Sequence, residues 1–171
     1  MNSEYILKQV ELLKKRFPGC DPGEICEALG IKVCSKDLGS LKGLYIFFEG
    51  EAFIIVNSNS DEADRRMTIA HELGHDRLHR DACDSASFAD SMLFDLKGRT
   101  ELEADIFAAE LMIDDKSVLT ADTDCYSLAR SLSVHTQLMI CKLYSMKLRG
   151  FSVRMPEEVK AGFMKICSVH Q

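Results

Sequence analysis

The stretch TIAHELGHDRLHR, residues 68–80, holds three of the chain's five histidines, with Glu72 directly after the first. No other segment restricts the fold as much. In an α-helix, positions i and i+4 are neighbours on one face, one turn apart, so His71 and His75 can aim ring nitrogens at one point. Glu72 lies about 100° further round the helix. Ile69, Ala70, Leu73 and Gly74 between them are small or apolar, as expected of a helix packed against a sheet and other helices.

Two imidazoles so placed can share one ion with bonds of roughly 2 Å. The adjacent carboxylate reaches a water on that ion without becoming a ligand, the H-E-x-x-H arrangement of zinc peptidases. His71 and His75 are therefore expected ligands and Glu72 the general base. His79 lies eight residues past His71, a rise of about 12 Å, and no Gly or Pro breaks the helix between. It is expected behind the ligands or facing substrate. Together with Tyr144 it is a candidate for steadying the oxyanion.

A third ligand has to come from another element. TELEADIFAAELM, residues 100–112, reads as a helix capped by Thr100, with Glu103 completing the capping box. Glu101 and Asp105 share a face, and Ala104 and Ala108 leave room for a neighbouring helix. Glu101 is thus favoured over Glu103 as the ligand, with Asp105 accepting the outer N–H of a ligand histidine.

Further elements follow from local signals. Residues 3–17 have helical spacing up to Phe17-Pro18-Gly19. Asp21, Pro22 and Glu24 mark a capped short helix that ends before Gly30. IKVC and GLYIFFEGEAFIIVN read as strands, with a tight turn at Glu49-Gly50. Asn59 and Glu62 form a capping box for the histidine helix. Residues 80–98 read as a loop with one helical turn. Residues 124–150 read as two helices broken near Ser133, and a last helix is expected from Pro156. The fold class is α+β: a small antiparallel sheet packed on the H-E-x-x-H helix, with a helical C-terminal region. Residues 1–171 form one domain, 1–114 catalytic and 115–171 helical and helix-turn-helix-like.

At 171 residues the chain has room for one ordinary core. Seven cysteines without a C-x-x-C pair suit reduced thiols in a cytoplasmic protein. No apolar run approaches the roughly 20 residues of a membrane span. A net charge of −6 disfavours nucleic acid as the main partner. Yet residues 125–155 hold no acid and five bases: Arg130, Lys142, Lys147, Arg149 and Arg154.

RRMTIAHELGH with the later His79, IIVNSNS before it and ELEADIFAAELM after it resemble the ImmA/IrrE family of metallo-endopeptidases, from about Ala52 to Arg149. The E-x-x-x-D spacing is also similar to the gluzincin arrangement. The resemblance implies zinc on His71, His75 and Glu101, with Asp105 behind the ligands. It also implies a cognate helix-turn-helix repressor of phage or mobile-element type as substrate. Manganese or iron suits the same ligand types. The chain departs from the family in LMIDDK, where Pro commonly follows Met, and in Asp76, where an apolar residue is usual. Two other readings compete: a non-catalytic metal-binding module that grips a repressor or antitoxin, and a DNA-binding regulator using SLARSLSVHTQLMICKLYSM.

Overall fold

The computed structural model describes residues 3–83 and 94–156. The chain begins with helices α1 (Ser3–Arg16) and α2 (Pro22–Ala28), followed by strands β1 (Lys32–Lys36), β2 (Gly43–Phe48) and β3 (Glu51–Asn57). Two long helices come next, α3 (Glu62–Cys83) and α4 (Phe94–Met112), then α5 (Asp115–Leu119), α6 (Cys125–Ser131) and α7 (Thr136–Leu148).

The α+β class holds, but the sheet is mixed rather than antiparallel. Its order is β1-β3-β2, with β2 antiparallel to β3 and β1 parallel to it. The hairpin is local: Glu49 and Gly50 both have positive φ, 52° and 81°, as a two-residue turn requires. The β1 pairing is not local. It depends on β1 returning to the far side of β3, which no signal in IKVC specifies.

Ala52, Ile54 and Val56 on β3 and Tyr45 on β2 face inward against α3, which in turn packs along α4. The contact is close because Gly74 has no side chain: a Cβ there would lie 3.1 Å from Ala104 Cα and 3.2 Å from Phe107 Cδ1. Ile6, Val10 and Leu13 of α1 close the same core.

Several local expectations are corrected. The α3 cap is Asp61, whose Oδ1 accepts the Asp64 N–H at 2.8 Å. Asn59 instead donates its N–H to Asn57 Oδ1, a local turn that competes with capping. The Asn57 amide also donates to Gly39 and Leu41 carbonyls, pinning the connection into β2. Residues 80–83 and 94–98 are helical rather than loop, so Thr100 lies within α4 rather than at its N-cap. The remainder of the expected 80–98 loop, and the helix expected after Pro156, lie outside the described residues. By contrast, Asp21 and Glu24 form the reciprocal cap of α2 as expected, and Ser133, at φ 52°, breaks α6 from α7.

Asp76 has a structural role that sequence did not suggest. Its side chain is fully buried and accepts the Tyr45 hydroxyl at 2.8 Å and the Arg80 guanidinium. The Arg80 guanidinium lies 5.1 Å over the Phe47 ring. A buried carboxylate thereby ties α3 to the edge strand β2.

Lys142, which a DNA-binding helix would need for phosphate, is buried. Its Nζ lies 2.6 Å from both Glu110 and Asp115. Arg149 pairs with the same two acids. Two cations of the acid-free stretch are thus consumed in joining α4, α5 and α7. Among the described residues, no helix is long and apolar enough to cross a membrane.

Candidate metal centre

The close approach of α3 and α4 brings His71, His75 and Glu101 together, with one ligand-type atom of each within 4.8 Å of the others. His71 Nε2 and His75 Nε2 are 3.1 Å apart. Glu101 Oε2 is 3.3 Å from His71 Nε2, and its Oε1 is 3.5 Å from His75 Nε2. A tetrahedral ion with bonds of about 2.0–2.1 Å spaces its ligand atoms about 3.3 Å apart. The donor set therefore fits zinc in both atom type and spacing.

The outer ring nitrogens are already engaged. His71 Nδ1 lies 2.9 Å from Asp105 Oδ1, so Nδ1–H donates outward and the Nε2 lone pair turns inward. His75 Nδ1 lies 3.3 Å from His79 Nδ1. Two inward lone pairs at 3.1 Å repel unless a proton or cation lies between them. The protein's own charges reflect this. Burial opposes charge on His71, but hydrogen bonds to Asp105 and Glu101 prevail and raise its pKa to about 10. Burial, then the His71 charge, lowers His75 to about 4.

Glu72 sits beside this group between α3 and the start of β2. Burial, reinforced by the Glu101 charge, raises its pKa to about 7, against the opposing His71 charge and a hydrogen bond from the Tyr45 backbone N–H. Gly43 allows the close fit: a Cβ there would overlap the Thr68 methyl and lie 3.1 Å from Glu72 Oε1.

His71, Glu72, Glu101 and Asp105 line a cleft of about 360 Å³ whose walls also include Lys42, Asp64, His135 and Gln137. His135 Nε2 is 2.8 Å from Asp64 Oδ1. Asp64 precedes His71 by seven residues, about 10 Å along α3, so this pair lies along the cleft from the ligand group. Sequence reading missed His135 because it sits before α7, and only packing turns it toward α3. Neither His79 nor Tyr144 is among the described residues that line the cleft; His79 lies instead against His75 and Glu103. Glu103, expected in a capping box, instead meets His79 Nε2 at 3.1 Å and Arg99 Nε at 3.2 Å.

A family model described as the IrrE N-terminal-like domain, peptidase M78, matches residues 26–141. That interval contains every residue of the ligand group. Over 107 residues the chain is 32% identical to a Bacillus phage phi105 protein named uncharacterized immunity region protein 2, covering 62% of this chain and 66% of that one. It is 32% identical over 93 residues to the metallopeptidase ImmA of Bacillus subtilis (strain 168), covering 54% of each. The chain thus spans just under two thirds of the first relative and about half of the second.

Proposed function

Since the chain belongs to the IrrE N-terminal-like, peptidase M78 family, which implies a metal ion, we propose that it is a zinc-dependent endopeptidase that cleaves a cognate helix-turn-helix repressor in the cytoplasm. The observation that carries this reading is the meeting of His71, His75 and Glu101 beside a buried, unligated Glu72. The relatives' names, a phage immunity-region protein and a metallopeptidase, support the repressor and the chemistry respectively.

His71, His75 and Glu101 would hold the ion, which when bound polarises the scissile carbonyl and makes water acidic enough to attack. Glu72 accepts the water's proton and passes it to the departing amine. The Tyr45 backbone N–H keeps the Glu72 carboxylate turned toward the cleft. Asp105 holds the His71 ring in the tautomer that points Nε2 inward. The strand β2 is a sheet edge whose first residue, Gly43, lines the cleft. An extended substrate segment pairs along that edge and enters over Glu72. His135 and Asp64 contact its side chains further along. The chain acts as one domain: residues 1–114 carry the chemistry and 115–171 shape the docking side, with Lys142 and Arg149 locking the two parts together.

The test mixes the purified protein, zinc and the repressor encoded beside its gene. A discrete repressor fragment is expected from the native chain and none from Glu72→Gln, which should still bind zinc. Loss of repressor function in vivo with Glu72→Gln intact as an effector would favour the non-catalytic binding module instead.

A further inference from the structure

The two candidate ligand histidines are braced in different ways. His71 Nδ1 meets a carboxylate directly, Asp105 Oδ1 at 2.9 Å. His75 Nδ1 meets another imidazole, His79 Nδ1 at 3.3 Å, and His79 Nε2 lies 3.1 Å from Glu103 Oε2. The His79 and Glu103 side chains are 9% and 14% exposed, so water competes little for these bonds. Arg99 holds the other Glu103 oxygen.

Proton counting makes this a connected chain. A neutral imidazole carries one N–H. For His75 to present a lone pair at Nε2, its proton must sit on Nδ1, which faces His79 Nδ1. His79 can accept there only if its own proton is on Nε2, and that atom faces Glu103. Reversing either ring would set two N–H groups, or two lone pairs, against each other. Glu103 therefore decides the orientation and tautomer of both rings.

We propose that Glu103, acting through His79, is the positioning carboxylate for His75, the counterpart of Asp105 on His71. The inference rests on the metal-site reading above. It assigns His79 to the support of a ligand rather than to substrate, and it gives α4 three carboxylates with distinct jobs. Ala104, the residue that touches Gly74, stands between Glu103 and Asp105. One close approach of the helices thus seats both braces.

The test measures zinc affinity of the full chain by chelator competition, with the melting temperature of the chelator-treated protein as a check on folding. Glu103→Gln keeps the side chain's shape but not its charge, and should weaken zinc about tenfold, within the 10–100-fold range of such partners. In His79→Asn, the amide oxygen replaces the ring Nδ1 as acceptor for His75 and no longer needs Glu103. Adding Glu103→Gln to that variant should then leave affinity unchanged. The same tenfold loss in both backgrounds, or a loss of stability with zinc affinity intact, would overturn the proposal and leave Glu103 a structural ion-pair partner. Glu101→Ala separates the two readings. If it fails to weaken zinc, the metal site itself is wrong; if it does weaken zinc while Glu103→Gln does not, only the brace is wrong.

Discussion

Gly74 and Ala104 are in backbone contact, and a single methyl group at Gly74 would lie 3.1 Å from Ala104 Cα and 3.3 Å from its carbonyl oxygen. Neither atom is the end of a flexible side chain, so the helices themselves would have to move. Glu101, one turn before Asp105, moves with α4.

Gly74→Ala accordingly sets two effects against each other. Alanine favours the helix by about 1 kcal/mol, while overpacking costs about 1–3 kcal/mol. A net loss of stability in urea is expected, with zinc affinity falling together with it. A variant more stable than the native chain and equal in zinc affinity would show that the contact does not position Glu101.

At Gly43 the conflict is with the Thr68 methyl and Glu72, side chains of α3 outside the His71, His75 and Glu101 group. Gly43→Ala should therefore lower kcat/KM for repressor cleavage while zinc affinity stays near the native value. Thr68→Ser removes the methyl and should restore part of the lost rate in the double variant. Equal loss of zinc binding would argue that β2 supports the metal group and not the substrate edge.

Tyr45→Phe removes a hydrogen bond to the buried Asp76 carboxylate. Bonds to charged groups contribute roughly 1.5–3 kcal/mol, so a destabilisation of that size is expected from urea unfolding. Because the two residues share one interaction, the same change made in an Asp76→Asn background should cost less.

Acid should unfold the protein partly through Asp115. Hydrogen bonds from Arg149, then Lys142, hold its carboxyl well below the usual carboxylate range. A folded pKa below the unfolded value of about 3.9 means the stabilisation is complete above that value and is lost as pH falls toward the folded one. Asp115→Asn should flatten the melting temperature's dependence on pH between about 5 and 3. An unchanged slope would place the acid-sensitive groups elsewhere.

Zinc should stabilise the native chain by mass action, by about 4 kcal/mol at a thousand times Kd. A chelator should reverse the shift in melting temperature. His71→Ala and Glu101→Ala should abolish the zinc-dependent shift, whereas Glu72→Gln should retain it. A zinc shift that survives loss of Glu101 would remove that residue from the ligand set.

The sequence by itself determined what depends on near neighbours. Turn by turn, helical periodicity puts His71 beside His75 and Glu101 beside Asp105. Asp21 and Glu24 cap α2, and Glu49-Gly50 turns the hairpin, because these interactions span four residues or fewer. Only the tertiary structure decided the rest. It set β1 parallel to β3, turned His135 toward Asp64, and buried Asp76 against Tyr45, 31 residues away in the chain. It also took Glu103 from an expected cap to His79. Each of these depends on which face of one element meets another, and a carboxylate or imidazole at a given position is compatible with several such faces. The choice among them falls to packing: at Gly74, the absence of a side chain lets α4 approach closely enough for its acids to reach the histidines of α3.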